Sequence, residues 1–411
     1  MTRPLDGLRV LDLSHMIAGP FASFYLAQMG AEVIKVEQPA GGDLMRSSRS
    51  AAGDGTPPGY VAFNAGKRSV AIDFRVKEGA DAIRELAAQA DVFIENFRPG
   101  TVEKYGLDYP SIAAIKPDIV YCSISGYGQQ GEWSQRPAYD YVIQAVSGIT
   151  MRGGDSEDAP PVKVGFPIVD VATGILGALS ISAALHRRSR CGKGQYIDAS
   201  MVQAALTLLY PDVVSCLNGE PQPPRVGNRG HSQSPASDTF RCADGWLTVT
   251  VNTAAQFRKL AAKLGVEALC HDEKAFDVEK FNAPGAGIIR ARDDDYVRRS
   301  LRSAFEAKSA SAMEAELNAL GVPCARVRML PEIIAEIEQG RNIVMDGGIY
   351  LQGDQRRIKT TGLGYQDAFD GDLPAAGAEA LGQSTEEILS RVGIGAERIR
   401  LMAEQGVVKL A

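Results

Sequence analysis

The feature that most constrains this chain of 411 residues is an alternation of two hydrophobic periods across its first 126 positions. LRVLDL (8–13), AEVIKVE (31–37), RSVAIDF (68–74), DVFIENF (91–97) and DIVYCSISG (118–126) are short, bounded, β-branched runs of the kind that form buried strands. Helical patterns fill most of the gaps: FASFYLAQMG, with Pro20 at its first turn and Gly30 as its stop, then KEGADAIRELAAQA and TVEKYGLDYPSIAAIK. Strands alternating with helices imply right-handed crossovers. The expected fold class is therefore α/β, with a Rossmann-like, doubly wound, mainly parallel sheet.

The length exceeds what one ordinary core fills, so two domains are expected. PIVDVATGILGALSISAALHRR (167–188) predicts a long apolar helix beginning just after Asp170, with Gly192 or Gly194 as its left-handed cap. QYIDAS reads as a further strand and MVQAALTLLY as a helix. Pro, Gly, Asn and Ser then dominate, which marks 211–229 as a linker. Residues 230–328 read as a smaller α+β domain: DTFRCADGWLTVTV forms two strands around an Asp-Gly turn, and QFRKLAAKLG and DDYVRRSLRSAFEA form amphipathic helices. The large domain of residues 1–210 is completed by 329–411, through helical LPEIIAEIEQG, strand-like GGIYLQG and a helix at TEEILSRVG.

Composition excludes several functions. The balance of 44 basic and 50 acidic residues, without basic blocks, argues against nucleic acid as a partner and leaves a small polyanion possible. Six scattered cysteines form no C-x-x-C pair, and four histidines show no metal-ligand spacing, which points to a reducing cytoplasm and no metal. The N-terminus reads as no signal peptide, and no run matches the roughly 18 apolar residues of a membrane span. Glu37 ends the second strand where a ribose-binding acid would sit, but the first turn, SHMIAGP, lacks G-x-G-x-x-G. There is no phosphate-binding P-loop and no G-x-S-x-G elbow. His15, His186, His231 and His271 read as surface or structural residues.

Asp170 is the only ionisable residue of its apolar segment before His186, and an unsupported buried charge costs several kcal/mol, on the order of 2–7 for polar groups and more for ions. Asp is a favoured N-cap, which is sufficient reason for it. The two roles are compatible, because helix-start N–H groups and the positive dipole end stabilise a carboxylate that can also act as a nucleophile.

Collinear motifs narrow the choice. LDGLRVLDLSHMIAGPFASFYLAQMGAEVIKVEQP, NAGKRSVAIDF, ENFRPGTVEKYGLD, SISGYGQQG, AYDYVIQAVSG, the Asp-x-x-Thr-Gly of 170–174 and GKGQYIDASM together resemble the class III coenzyme A transferases, the formyl-CoA and carnitine CoA-transferase family. The resemblance runs through most of the first 205 residues and more weakly through DGWLTVTVNTAAQF and GVPCARV. It implies Asp170 as a nucleophile that exchanges CoA between an acyl-CoA and a carboxylic acid, with no cofactor beyond CoA itself, and an interlocked homodimer. It also implies CoA contacts at Ile17, Ala18, Gln38, Ile72, Asp73, Arg75, Asn96, Phe97, Arg98, Lys104, Ala138, Tyr139 and Asp140.

Three departures from the family pattern matter. Gln38 stands where relatives often carry Arg and Pro137 where some carry Lys, and GNRGHSQSP offers only Gly227 and Gly230 where formyl-CoA transferases have a glycine run. The α-methylacyl-CoA racemases of the same family carry His where this chain has Tyr139. A phenol near pKa 10 is a poor proton shuttle at neutral pH beside an imidazole near 6.5, which favours transfer over racemisation. Arg46 and Arg49, in the loop after the second strand, are candidates for an acceptor's second carboxylate.

Overall fold

The computed structural model describes residues 3–47, 56–285, 287–340, 349–352, 356–365 and 376–411. All five N-terminal runs form strands: β1 Arg9–Asp12, β2 Glu32–Glu37, β3 Arg68–Ile72, β4 Val92–Glu95 and β5 Val120–Ser125, with QYIDAS as β6 Gln195–Ser200. Between and after them come α1 Ala18–Gln28, α2 Pro58–Asn64, α3 Lys77–Ala87, α4 Tyr109–Ile115, α5 Asp140–Val146, α6 Ile168–Cys191, α7 Met201–Leu208 and α8 Tyr210–Leu217. The sheet order is β3-β2-β1-β4-β5-β6, parallel throughout. A C-terminal strand, Val408–Lys409, adds an antiparallel edge to β3. The winding reverses between β1 and β4, which opens a crevice at their carboxyl ends, the place where open α/β sheets bind ligands.

Alternating side chains build the two layers. On one face Leu11, Ile34, Val70, Phe93 and Tyr121 pack with α3 residues Ile83 and Leu86 and with the C-terminal Ile388 and Met402. On the other, Val10, Val33, Val92, Ile94 and Ile124 pack with Ala22 and Leu26 of α1 and Ile181 and Leu185 of α6. A strand buried on both faces reads as a continuous apolar run, which is why these strands were legible.

Three segments depart from the sequence reading. TVEKYGLDYPSIAAIK is not one helix: a single turn at Glu103–Tyr105 ends at Gly106 in the left-handed conformation (φ 63), and α4 restarts just before Pro110. The presumed linker opens with α8, whose Pro211 sits in its first turn, so irregular chain starts only at Asn218. Helix α6 begins at Ile168, and its 24 residues include an 18-residue window of mean hydropathy 1.9, long and apolar enough to cross a membrane by length and composition alone, because its Ile, Val, Leu and Ala residues outweigh the few Gly, Ser and Thr residues among them. Its cap at Gly192 (φ 68) is left-handed, one of the two glycines expected there.

Contacts divide the chain into two units: residues 1–150, 163–222 and 345–411, and residues 151–162 with 223–344. The second unit holds an antiparallel sheet, β7 Asp238–Cys242, β8 Gly245–Val249 and β9 Cys324–Arg326. Phe240, Leu247, Phe257, Leu260, Leu301 and Phe305 form its core.

Candidate active site

In the first unit, the segments that leave β1, β4 and β5, together with the first turns of α1, α5 and α6, enclose a cavity of about 380 Å³. The β1 loop brings His15, Met16 and Ile17, the β4 loop Asn96 to Pro99, and the approach to α5 brings Arg136, Ala138 and Tyr139, ending at Asp140. Asp170 lines the same cavity.

The β1 loop is held from below. Met16 has positive φ (66), an uncommon state for a side chain larger than Gly, and its N–H donates to both carboxylate oxygens of Asp43 at 3.2 Å. Asp43 is fixed in turn by Lys35 Nζ at 3.0 Å, with both side chains buried. Beside it, Lys67 Nζ pairs with Asp12 at 3.1 Å, and Ser14 and Ser23 also donate to Asp12. These donors and lysines pull the Asp12 carboxyl down to about 2 against the opposing effect of burial, and burial lowers the Lys67 ammonium to about 8. Asn96 ties the β1 and β4 loops together: its Oδ1 accepts the His15 N–H at 2.9 Å, and its Nδ2 donates to the His15 carbonyl at 2.8 Å.

The approach of α6 to α1 explains the Asp-x-x-Thr-Gly spacing. A Cβ on Gly174 would lie 2.8 Å from Cβ of Phe21 and 2.9 Å from the Ala18 carbonyl oxygen, so only glycine lets α6 close on the start of α1. Thr173 turns its hydroxyl back to the Val169 carbonyl at 2.7 Å. Asp170 then falls one turn before Gly174, beside Ile17 and Ala18 in the cavity wall.

The expected N-cap role of Asp170 is overturned. Pro167 occupies the cap position, Asp170 is the third residue of α6, and the cap is supplied from outside. Asp140, first residue of α5, accepts the N–H of Val169 at 2.7 Å and that of Asp170 at 3.0 Å through Oδ2. Residue spacing along one helix cannot reveal a cap contributed by another. The Asp170 carboxylate accepts no hydrogen bond among the described residues. Burial, and next the Asp140 carboxylate, push its carboxyl up to about 7, so the surroundings oppose its charge where the helix start was expected to hold it ionised.

The cavity also holds positive charge. Arg98 and Arg136 line it, and neither has an anionic partner among the described residues; Arg136 lies over the Trp133 ring at 4.0 Å. Of the residues named from sequence, Ile17, Ala18, Asn96, Phe97, Arg98, Ala138, Tyr139, Asp140 and Asp170 line the cavity. Gln38, Ile72, Asp73, Arg75 and Lys104 do not line it: Gln38 follows β2, Ile72 ends β3 with Asp73 and Arg75 just after it, and Lys104 lies in the Glu103–Tyr105 turn. Ile72 is fully buried in the core, and Asp73 binds Arg75 in a bidentate pair at 2.6 and 2.7 Å. Arg46 is not open to a substrate: Glu37 accepts from its guanidinium at 2.6 and 2.7 Å, and the Tyr60 ring lies 4.1 Å beneath it. Arg49 lies outside the described residues.

Sequence reading missed His15 and Arg136. His15 faces the cavity with its ring 5.2 Å from that of Phe97, and burial lowers its pKa. Its place in the first strand-to-helix turn was the available signal. Arg136 supplies charge beside Pro137, where a Lys had been sought.

The chain is similar to known proteins over most of its length. The profile of CoA-transferase family III matches residues 5–348. Succinate–glutarate CoA-transferase of Agrobacterium fabrum is 40% identical over 277 residues, covering 66% of this chain and 69% of that one. Succinyl-CoA:mesaconate CoA-transferase of Haloarcula hispanica is 34% identical over 402 residues, 95% of this chain and 97% of that one. The crystal structure of a CaiB/BaiF family protein from Brucella suis superposes with a TM-score of 0.80 at 31% identity, covering 95% of this chain and 100% of that one. The chain belongs to CoA-transferase family III. It is a CoA-transferase enzyme that acts on acyl-CoA and carboxylate substrates.

Proposed function

We propose that the enzyme moves CoA through covalent intermediates on Asp170. The observation that carries this reading is a carboxylate in the cavity that accepts no hydrogen bond among the described residues, with its proton affinity raised to about 7. Such an anion is a stronger nucleophile than a solvated carboxylate.

The Asp170 oxygen attacks the thioester carbonyl; the C–S bond breaks, CoA leaves as thiolate, and a mixed anhydride remains. The thiolate attacks the aspartyl carbonyl of that anhydride, breaking its C–O bond, which releases the donor acid and leaves an aspartyl-CoA thioester. The acceptor carboxylate then displaces the thiolate to give a second anhydride, and the thiolate attacks the acceptor's carbonyl to regenerate Asp170. No net proton is consumed. The positive end of α1, whose first intrahelical bond is Phe21 N–H to Ile17 carbonyl at 2.8 Å, supports charge developing on the tetrahedral oxygens.

Arg98 and Arg136 bind CoA phosphates within the cavity, and the remaining CoA contacts are Ile17, Ala18, Asn96, Phe97, Ala138, Tyr139 and Asp140, with Gln38, Ile72, Asp73, Arg75 and Lys104 outside the cavity. The acids are short dicarboxylates, as the names of the succinate–glutarate and succinyl-CoA:mesaconate relatives support. The enzyme needs no cofactor beyond CoA, works in the cytoplasm without nucleic acid or membrane, and forms an interlocked homodimer. Leu179, Tyr210 and Leu217, between 62% and 80% exposed, support a subunit interface. Sedimentation equilibrium tests that dimer.

The test of the activity is kinetic. Succinyl-CoA with glutarate, mesaconate or oxalate should give ping-pong transfer and no exchange of an acyl α-proton with deuterated water. Exchange without transfer would establish the racemase reading instead.

A further inference from the structure

We propose that Asp140 is a positioning residue for Asp170: its carboxylate fixes the first turn of α6 in the cavity and sets the pH range in which the nucleophile acts. This rests on the reading of Asp170 as the nucleophile.

The geometry is a clamp with two jaws. Oδ2 of Asp140 takes the N–H groups of Val169 and of Asp170 itself, and Oδ1 takes Gln144 Nε2 at 2.5 Å. Gln144 is only 1% exposed, and its Oε1 accepts the Val164 N–H at 2.9 Å, so the clamp is anchored to the segment that leads into α6. Any good capping side chain would satisfy these N–H groups. An aspartate adds a negative charge beside a second carboxylate, which disfavours ionisation of Asp170 and works with burial to raise its proton affinity. The other charged or titratable groups of the cavity are His15, Arg98, Arg136 and Tyr139.

Asparagine at 140 retains an oxygen for the two N–H groups and removes the charge. The decisive experiment follows the single-turnover rate of acylation by succinyl-CoA from pH 5.5 to 8.5 in the wild type and in Asp140→Asn, with melting curves recorded for both. In the wild type the rate should rise with a midpoint near 7. In Asp140→Asn the midpoint should move about one pH unit lower, the effect of losing one like charge at short range, so that the ratio of rates at pH 6 and pH 8 rises several-fold. Asp140→Ser, another capping residue, should shift it the same way and serves if the Asn variant does not fold. An unmoved midpoint in folded variants, or loss of the fold in both, overturns the proposal. Absence of any adduct on Asp170 in the wild type would instead overturn the nucleophile reading itself.

Discussion

Asp140 Oδ2 lies 3.0 Å from the backbone nitrogen of Asp170, so the helix carrying one carboxylate starts on another. Two acidic residues 30 positions apart share one helix start, and the second is left with a carboxyl raised to about 7.

A pH dependence follows from that pair. If Asp170 must be ionised to attack, kcat/KM should rise about tenfold per pH unit on the acid side and level off above pH 7, since that parameter reports groups of the free enzyme. A profile flat from pH 5 to 8 would exclude Asp170 as the titrating nucleophile.

The same shift acts on stability. The Asp170 carboxyl has an ordinary value of 3.8 and about 7 in the fold, so between these values the native state binds a proton that the unfolded chain has released. Stability contributed by this group is fully present below about 4 and is lost as pH rises through 7. Asp170→Asn should therefore raise Tm by a few degrees at pH 8 and leave it almost unchanged at pH 4, while abolishing transfer; partial exposure of the side chain keeps the gain to roughly 1–2 kcal/mol. Scanning calorimetry at the two pH values decides it.

Close approach of α6 to α1 gives a packing prediction. Gly174→Val would place its Cβ 2.8 Å from Cβ of Phe21 and 2.9 Å from the Ala18 oxygen, and should cost about 1–3 kcal/mol by overpacking. The displacement falls on the turn that carries Asp170, so kcat should fall more than KM rises. Chemical denaturation and steady-state kinetics on the one variant check both effects.

Two cavity cations without an anionic partner among the described residues, Arg98 and Arg136, predict a salt-sensitive KM. Arg98→Ala and Arg136→Ala should each raise KM for the CoA thioester roughly 10- to 100-fold, the range of a charge-assisted hydrogen bond of about 1.5–3 kcal/mol, with smaller changes in kcat. Added salt should raise the wild-type KM and affect each variant less. Equal KM values across all three proteins would remove both residues from phosphate binding.

Much of this was legible in the sequence, for physical reasons. The parallel strands β1 to β5 are buried on both faces, so their apolar runs and the glycine and proline stops between them are strong local signals. Asp170 stood out because nothing else in its segment ionises before His186. Relations across the fold were not legible. A local pattern finds no cap from Asp140, no capture of Arg46 by Glu37, and no reason that His15 faces the cavity, since each depends on segments brought together by the sheet. Gly106 broke a helix that periodicity alone extended, and Val408–Lys409 was too short to read as a strand.

The central claim is that Asp170 carries the acyl group and then CoA. Incubation with succinyl-CoA without an acceptor, quenching by hydroxylamine or borohydride, and mass mapping of the peptide spanning Asp170 tests it most directly. Modification at Asp170 alone, absent from Asp170→Asn and reversed by added dicarboxylate, is the predicted result. An unmodified Asp170 in an enzyme that still transfers CoA would contradict the account.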